Sequence, residues 1–383
     1  MNFAFTEEQE ELRETARSFL ADHSGSEAVR RAMAGERGHD PEVWKRIGAE
    51  LGWPALLVPE EHGGLGLGFV ELAALLEVTG EFLLCAPFFS SVALGANALL
   101  VAGSAEQQAE HLPGIAEGRT VATLAHAEPG GRPDAAGVAV VARREGDEYV
   151  LRGTKSFVLD GHCADLLVVA ARREGSRGEE GLSLFAVPAA TPGLERRALV
   201  TMDQTRRLAE IELRDVRLPA AALLGAEGEA SPALAKILDR AAVALAVEQV
   251  GGAQRCLDAS VAYAKERVQF GRPIGSFQAI KHKCADMMVA VESARSGAYY
   301  AACVADEDGD ELPLVAPLAK ATASEAFFRC ASDSVQIHGG VGFTWEYDVH
   351  LYFKRAKSTE VFLGDPAFHR ERLARRLGLG EPA

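Results

Sequence analysis

The chain has 383 residues, 48% hydrophobic and 25% charged, the balance of a soluble globular protein too long for one simple core. A net charge of −15 excludes a nucleic-acid partner, because no basic stripe is left to neutralise phosphates. Local pairs such as Arg206-Arg207 leave room for a small anionic ligand.

The N-terminus, Met1-Asn-Phe-Ala-Phe-Thr-Glu-Glu-Gln9, carries acids where a secretory signal would carry lysines. Ala241 to Val250 is too short to span a bilayer and contains Glu248 and Gln249. The six cysteines form no CxxC pair and no metal-ligand spacing. These features predict a cytoplasmic protein with reduced thiols, no metal site and no membrane span.

The first third is predicted to be helical. Thr6 and Gln9 make a capping-box signature, and Leu12, Ala16, Phe19 and Leu20 follow at helical spacing. Pro59 to Gly68 is a glycine-rich break without the lysine and hydroxyl of a phosphate loop, so it reads as a turn between helices. An apolar helix pair follows, roughly over 69–102. From about 120 to 221 the hydrophobic period changes to two, in Val138–Ala142, Tyr149–Leu151, Leu166–Ala170, Leu182–Val187 and Leu208–Arg214. Short strands with glycine and charged turns predict an antiparallel sandwich or barrel, with Arg172 to Gly181 as a solvated hairpin loop.

Ser231-Pro232, an N-cap followed by proline at the first helical position, opens a helix that runs to Lys265, about 50 Å long. Further helices are predicted over 277–305, 313–338 and 366–377. Asp306 to Asp310 lacks the spacing of a calcium loop and reads as a solvated turn. The expected fold class is therefore α+β: an N-terminal all-α domain over 1–119, a middle antiparallel β-domain over 120–227, and a C-terminal four-helix bundle of long helices over 228–383.

Two segments are chemically specific. Tyr263-Ala-Lys-Glu-Arg-Val-Gln-Phe-Gly-Arg-Pro-Ile-Gly-Ser-Phe-Gln278 ends a helix with Arg267, turns at Gly271-Arg-Pro, and opens the next helix with Phe277 and Gln278. A fixed arginine, a ring and an amide suit an anionic, aromatic-headed cofactor. In Gln336-Ile-His-Gly-Gly-Val-Gly342, two glycines at a helix end let backbone approach a ligand closely. Taken singly, Arg267 also reads as a salt-bridge residue and Gly339 as a helix cap.

Together these segments resemble the acyl-CoA dehydrogenase family, with its R-x-x-F-G, F-Q and Q-x-x-G-G-x-G motifs. The likeness extends to the early Pro59-Glu-Glu-His-Gly-Gly-Leu-Gly66 and the late Asp215-Val-Arg-Leu-Pro219. The resemblance implies FAD, an acyl-CoA substrate, a tetramer and an electron-transferring flavoprotein as acceptor. In such enzymes a glutamate removes the α-proton of the thioester while the β-hydrogen leaves as hydride to the flavin. Each flavin lies between two subunits, and the resemblance assigns Arg267, Gln269, Phe270, Gln278, Gln336, Gly339 and Gly340 to the set that reaches into the partner's flavin site.

The sequence departs from the family where a subunit would hold its own flavin. Ala127 stands where a threonine usually precedes E-P-G, and Gly131-Arg-Pro-Asp134 replaces G-S-D. Phe157-Val-Leu159 replaces W-I-T or W-I-S. Leu363 occupies the usual place of the catalytic glutamate, and the alternative place on the long helix, 26 residues before Arg267, is Ala241. Glu248 is the candidate substitute base, since a carboxylate within an apolar helix needs a partner or a raised pKa; Glu360 and Asp365 also flank Leu363. A paired, structural Glu248 is the competing reading, and His126 and His338 read as packing histidines. The expected role is a subunit that completes a paralogue's FAD site in an α2β2 heterotetramer. The alternatives are a self-sufficient homotetramer using Glu248 and a cofactor-free structural paralogue.

Overall fold

The computed structural model describes residues 5–379, so Met1 to Ala4, where the N-terminal reading above begins, and the last four residues lie outside the described residues. The chain packs as two compact units, one of Met1–Arg31, Phe69–Leu84 and Ala242–Ala383, the other of Ala32–Gly68 and Cys85–Ala241. The helices before the sheet are α1 (Glu7–His23), α2 (Ser26–Ala34), α3 (Pro41–Ala49), α4 (Phe69–Glu81), α5 (Asn97–Ala102) and α6 (Ala105–Ala116). Helix α1 starts where expected: the Thr6 hydroxyl accepts from Gln9 N, the Gln9 side chain returns to Thr6 N, and Ala16, Phe19 and Leu20 form the buried face.

The second unit is built on an eight-stranded sheet of β1 (Ala122–Ala125), β2 (Val141–Glu145), β3 (Glu148–Leu159), β4 (Leu166–Arg173), β5 (Leu182–Pro188), β6 (Leu194–Ala198), β7 (Leu208–Pro219) and β8 (Leu223–Leu224). Its order is β6-β7-β3-β2-β4-β5-β8, with β1 beside β4. Most pairs are antiparallel, but β1–β4 and β2–β4 are parallel, which corrects the all-antiparallel expectation. The β2–β3 hairpin separates β1 from β4 and supplies the long crossover that parallel pairing needs. Arg172 is a second correction. It is buried, not solvated, and its guanidinium donates to the carbonyls of Ala135 and Gly178, each at 2.8 Å, and to that of Val138. It thereby ties the loop after Glu128 to the β4–β5 hairpin.

Helix α7 (Ser231–Glu266), which belongs to the helical unit from Ala242 on, leads through a two-strand hairpin, β9 (Val268–Gln269) and β10 (Arg272–Pro273), to α8 (Gln278–Asp306). Helices α9 (Leu312–His338), α10 (Val349–Val361) and α11 (Pro366–Arg376) complete it. Helix α10 was not expected from sequence. Helices α4 and α7 cross with almost no side chain between them: a Cβ on Gly251 would meet the Glu77 carbonyl oxygen at 1.8 Å, and one on Gly80 would meet that of Glu248 at 2.0 Å. The side chains of Glu77 and Glu248 flank this crossing, and each is paired with arginine, Glu77 with Arg13 and Arg295, Glu248 with Arg355. No helix among the described residues is long and apolar enough to cross a membrane, and all six cysteines carry free thiols.

Candidate functional site

The first arm is the hairpin between α7 and α8. Gln269 pairs with Arg272, so the turn holds only Phe270 and Gly271, at φ 52° and 75°. Positive φ at both central residues marks the tight hairpin turn that prefers Asn-Gly, and a bulky ring in the first position is strained there. The turn thus centres on Phe270-Gly271 rather than on Gly271-Arg-Pro. The ring of Phe270 is 91% exposed at the tip. Behind it, Phe277 meets Phe270 edge-on at 6.1 Å, and the Arg272 guanidinium lies over Phe277 at 4.1 Å.

The second arm is the end of α9. Gly339 sits at φ 64°, and a Cβ on Gly339 or Gly340 would meet nothing within 4 Å. Arg267, Gln269, Phe270, Gln278, Gln336, Gly339 and Gly340 are all exposed. Exposed amides, one guanidinium and a protruding ring are groups that could meet the phosphate and ring system of a dinucleotide.

The places of the base look different. Leu363 is buried at φ 61°, in a turn held from both sides. The buried Lys320 amino group donates to the carbonyls of Glu360 and Gly364, both at 3.2 Å, and to Ser324 Oγ at 2.8 Å. His369 Nε2 donates to the Leu363 carbonyl at 3.0 Å. Burial lowers the Lys320 pKa to about 7 and that of His369 to about 3. The backbone of the turn is firmly supported, yet its side chain cannot accept a proton.

Glu248, the candidate substitute, is buried and receives Arg355 Nη1 at 2.9 Å, with Arg355 only 1% exposed. A carboxylate engaged by a buried guanidinium is occupied by its partner, so this geometry favours the structural reading of Glu248. Glu360 pairs with exposed Lys357 at 2.7 Å, and Asp365 caps α11 through Phe368 N. The sequence reading missed Arg355, Lys320 and His369. The signal for Arg355 was available in the helical spacing of Val349, Tyr352, Ala356 and Thr359, which are all buried.

In the sheet unit, the stretch matching the flavin-facing segment offers hydrocarbon. Ala127 keeps a main-chain bond, its carbonyl accepting from Ser156 N at 2.9 Å, but has no hydroxyl. A bulge between Lys155 and Val158 places Phe157 at φ 59°, half exposed, with Val158 and Leu159 buried behind it. Glu128 binds Lys155 Nζ at 2.6 Å and the amides of Ala139 and Val140, so it organises backbone. Burial pushes the Lys155 pKa down to about 8, offset in part by Glu128, and that of His126 down to about 3, leaving a neutral imidazole. Arg207 donates to the carbonyls of Met33 and Gly35, and Arg206 lies over Phe89 at 4.8 Å. Asp160, His162 and Cys163 bring ligand-type atoms within 4.8 Å of one another; Ser90 already bonds Asp160, and burial beside Asp160 and Asp165 pushes the Cys163 thiol up to about 12.

The chain is similar to known proteins over nearly its whole length. The family models for the N-terminal, middle and C-terminal domains of acyl-CoA dehydrogenase match residues 6–119, 123–216 and 232–378. The acyl-CoA dehydrogenase IpdE2 of Mycolicibacterium smegmatis is 37% identical, over 97% of this chain and 98% of that protein. Among solved structures, a chain of the ChsE4-ChsE5 complex from Mycobacterium tuberculosis superposes with TM-score 0.90 at 31% identity, over the full length of both chains. Butyryl-CoA dehydrogenase from Megasphaera elsdenii gives TM-score 0.92 at 28% identity, over 98% of this chain and 100% of that one. A three-domain match over nearly the whole length leads to one conclusion: the chain belongs to the acyl-CoA dehydrogenase family of FAD-dependent flavoproteins.

Proposed function

We propose that this chain, with domains over 1–119, 120–227 and 228–383, is the completing subunit of an α2β2 acyl-CoA dehydrogenase. Its exposed arms finish the FAD site of a paralogous subunit, and that paralogue supplies the base and binds the acyl-CoA. The observation that carries the reading is a contrast. Every residue directed at a neighbour's flavin is exposed, while the place of the base holds buried Leu363 and the candidate substitute Glu248 is locked to Arg355. A solved relative that is itself one chain of a two-protein complex supports the same arrangement.

FAD, when bound, accepts the β-hydrogen of the acyl chain as hydride. For that group Arg267 offers charge to phosphate, Phe270 offers a ring, and the Gly339-Gly340 backbone, with no side chain in the way, offers close main-chain approach. On its own side the chain has Ala127 and the buried Leu159, neither of which carries a side-chain hydrogen-bond donor for a flavin. The electron acceptor proposed is an electron-transferring flavoprotein, and the compartment the cytoplasm.

The test is FAD per subunit, measured after denaturation, for the chain purified alone and co-expressed with a paralogous dehydrogenase subunit. The expected result is a colourless protein alone and one flavin per heteropair. Near-stoichiometric FAD in the isolated chain overturns the proposal in favour of a self-sufficient homotetramer.

A further inference from the structure

The two arms depart from different helices, and one aromatic contact joins their roots. Tyr263 lies one turn before Arg267 on α7, and Arg267 N donates to the Tyr263 carbonyl at 2.8 Å. Arg267 O in turn accepts from Ile274 N at 2.8 Å, which closes the base of the hairpin. His338 is the last residue of α9 and immediately precedes Gly339. The His338 imidazole stacks on the Tyr263 ring with centroids 4.3 Å apart and planes 24° from parallel. Tyr347 closes the cluster edge-on, 5.9 Å from His338 and 6.1 Å from Tyr263.

The orientation of the imidazole is also set. His338 Nδ1 lies 2.8 Å from the Ser334 carbonyl, which can only accept, so Nδ1 carries the hydrogen. His338 is 7% exposed, and burial lowers its pKa, which keeps the ring neutral. A planar ring with one edge tied to its own helix and one face on the neighbouring helix restrains both the separation and the twist of the two arm roots.

We infer that His338, through its stack on Tyr263, is a positioning residue for the partner subunit's flavin. It holds the Arg267 hairpin and the Gly339-Gly340 backbone at one fixed separation, so that both reach the same dinucleotide. The inference rests on the split-site reading above, and it requires a flat ring at position 338 rather than a titrating or hydrogen-bonding group.

The test uses the co-expressed complex and reads flavin affinity by the FAD retained through dialysis, together with the flavin midpoint potential. His338→Ala is expected to weaken FAD retention by about tenfold, and His338→Phe to restore it. His338→Asn, which keeps a donor for Ser334 but no ring, is expected to behave like alanine. If His338→Ala does not fold, His338→Phe against His338→Leu carries the same contrast, with only the ring retaining flavin. Equal FAD retention and equal potential in the ring and non-ring variants overturn the proposal. Arg267→Ala separates this failure from that of the split site: if it strips the partner's flavin while His338 variants do not, only the positioning role falls. If Arg267→Ala also leaves the flavin in place, the split-site reading falls with it.

Discussion

Glu248 shows how one side chain can be singled out by sequence for a real reason and be given its role only by its surroundings. A carboxylate in Ala-Val-Ala-Leu-Ala-Val must be paired or neutral, and here the partner is Arg355 on α10, a helix that sequence reading did not anticipate. Glu248→Gln therefore removes the carboxylate charge that Arg355 meets inside the fold and is expected to destabilise the fold by about 3–5 kcal/mol. Joint replacement of Glu248 by Leu and Arg355 by Met removes both charges and is expected to recover most of that loss. Urea unfolding of the two variants checks this. A Glu248→Gln protein with wild-type stability that abolishes turnover in the complex would revive the base role.

At the scale of the element, the β9–β10 hairpin is stable because its context over-determines an unfavourable turn. Phe270 takes a left-handed backbone conformation that glycine accepts freely, and its ring, 91% exposed, keeps only a long edge-on contact with Phe277 in the isolated chain. Phe270→Gly is accordingly expected to stabilise the isolated chain by about 1 kcal/mol while lowering FAD retention in the heterocomplex. Thermal melting and flavin content measured on the same variant check the opposed signs; a variant less stable alone would show that the ring packs within its own chain. The α4–α7 crossing follows a related logic. Gly80 and Gly251 let backbones touch, and the flanking glutamates find arginine partners that lie far away in sequence.

Across the whole molecule, both units bury histidines that stay neutral. Burial holds His126 in the sheet unit and His369 in the helical unit near pKa 3, against about 6.5 in an unfolded chain. Between these values the unfolded chain binds protons that the folded chain refuses, so stability falls as pH drops from about 6.5 toward 3. Each histidine contributes a slope of up to about 1.4 kcal/mol per pH unit in that window. Lys320 and Lys155, lowered to about 7 and about 8, act in the same direction higher up, favouring the fold as pH rises until the unfolded lysines also lose their protons. His126→Met is expected to flatten the acid slope by close to one proton. Urea midpoints at a series of pH values between about 4 and 7 measure this slope, and an unchanged slope in the variant would remove His126 from the account.

The amino-acid sequence alone determined the succession of helices, strands and long helices, because hydrophobic period and capping residues are local properties. Thr6 with Gln9, Ser231-Pro232 and the alternation in Leu208 to Arg214 each mark their element without help from distant residues. It also determined the family resemblance, since Arg267, Gln336 and the two glycines lie in short contiguous motifs. It did not reveal α10, the parallel pairing of β1 with β4, or the burial of Arg172, all of which depend on which distant segments come to lie side by side. The tertiary structure decided that Leu363 sits in a well-supported turn with no carboxylate and that Glu248 belongs to Arg355. It also decided that Arg267, Phe270, Gly339 and Gly340 stand exposed on two arms joined through a stacked histidine. These are questions of which charges and rings meet across the fold, and sequence spacing carries no information about partners 107 positions away.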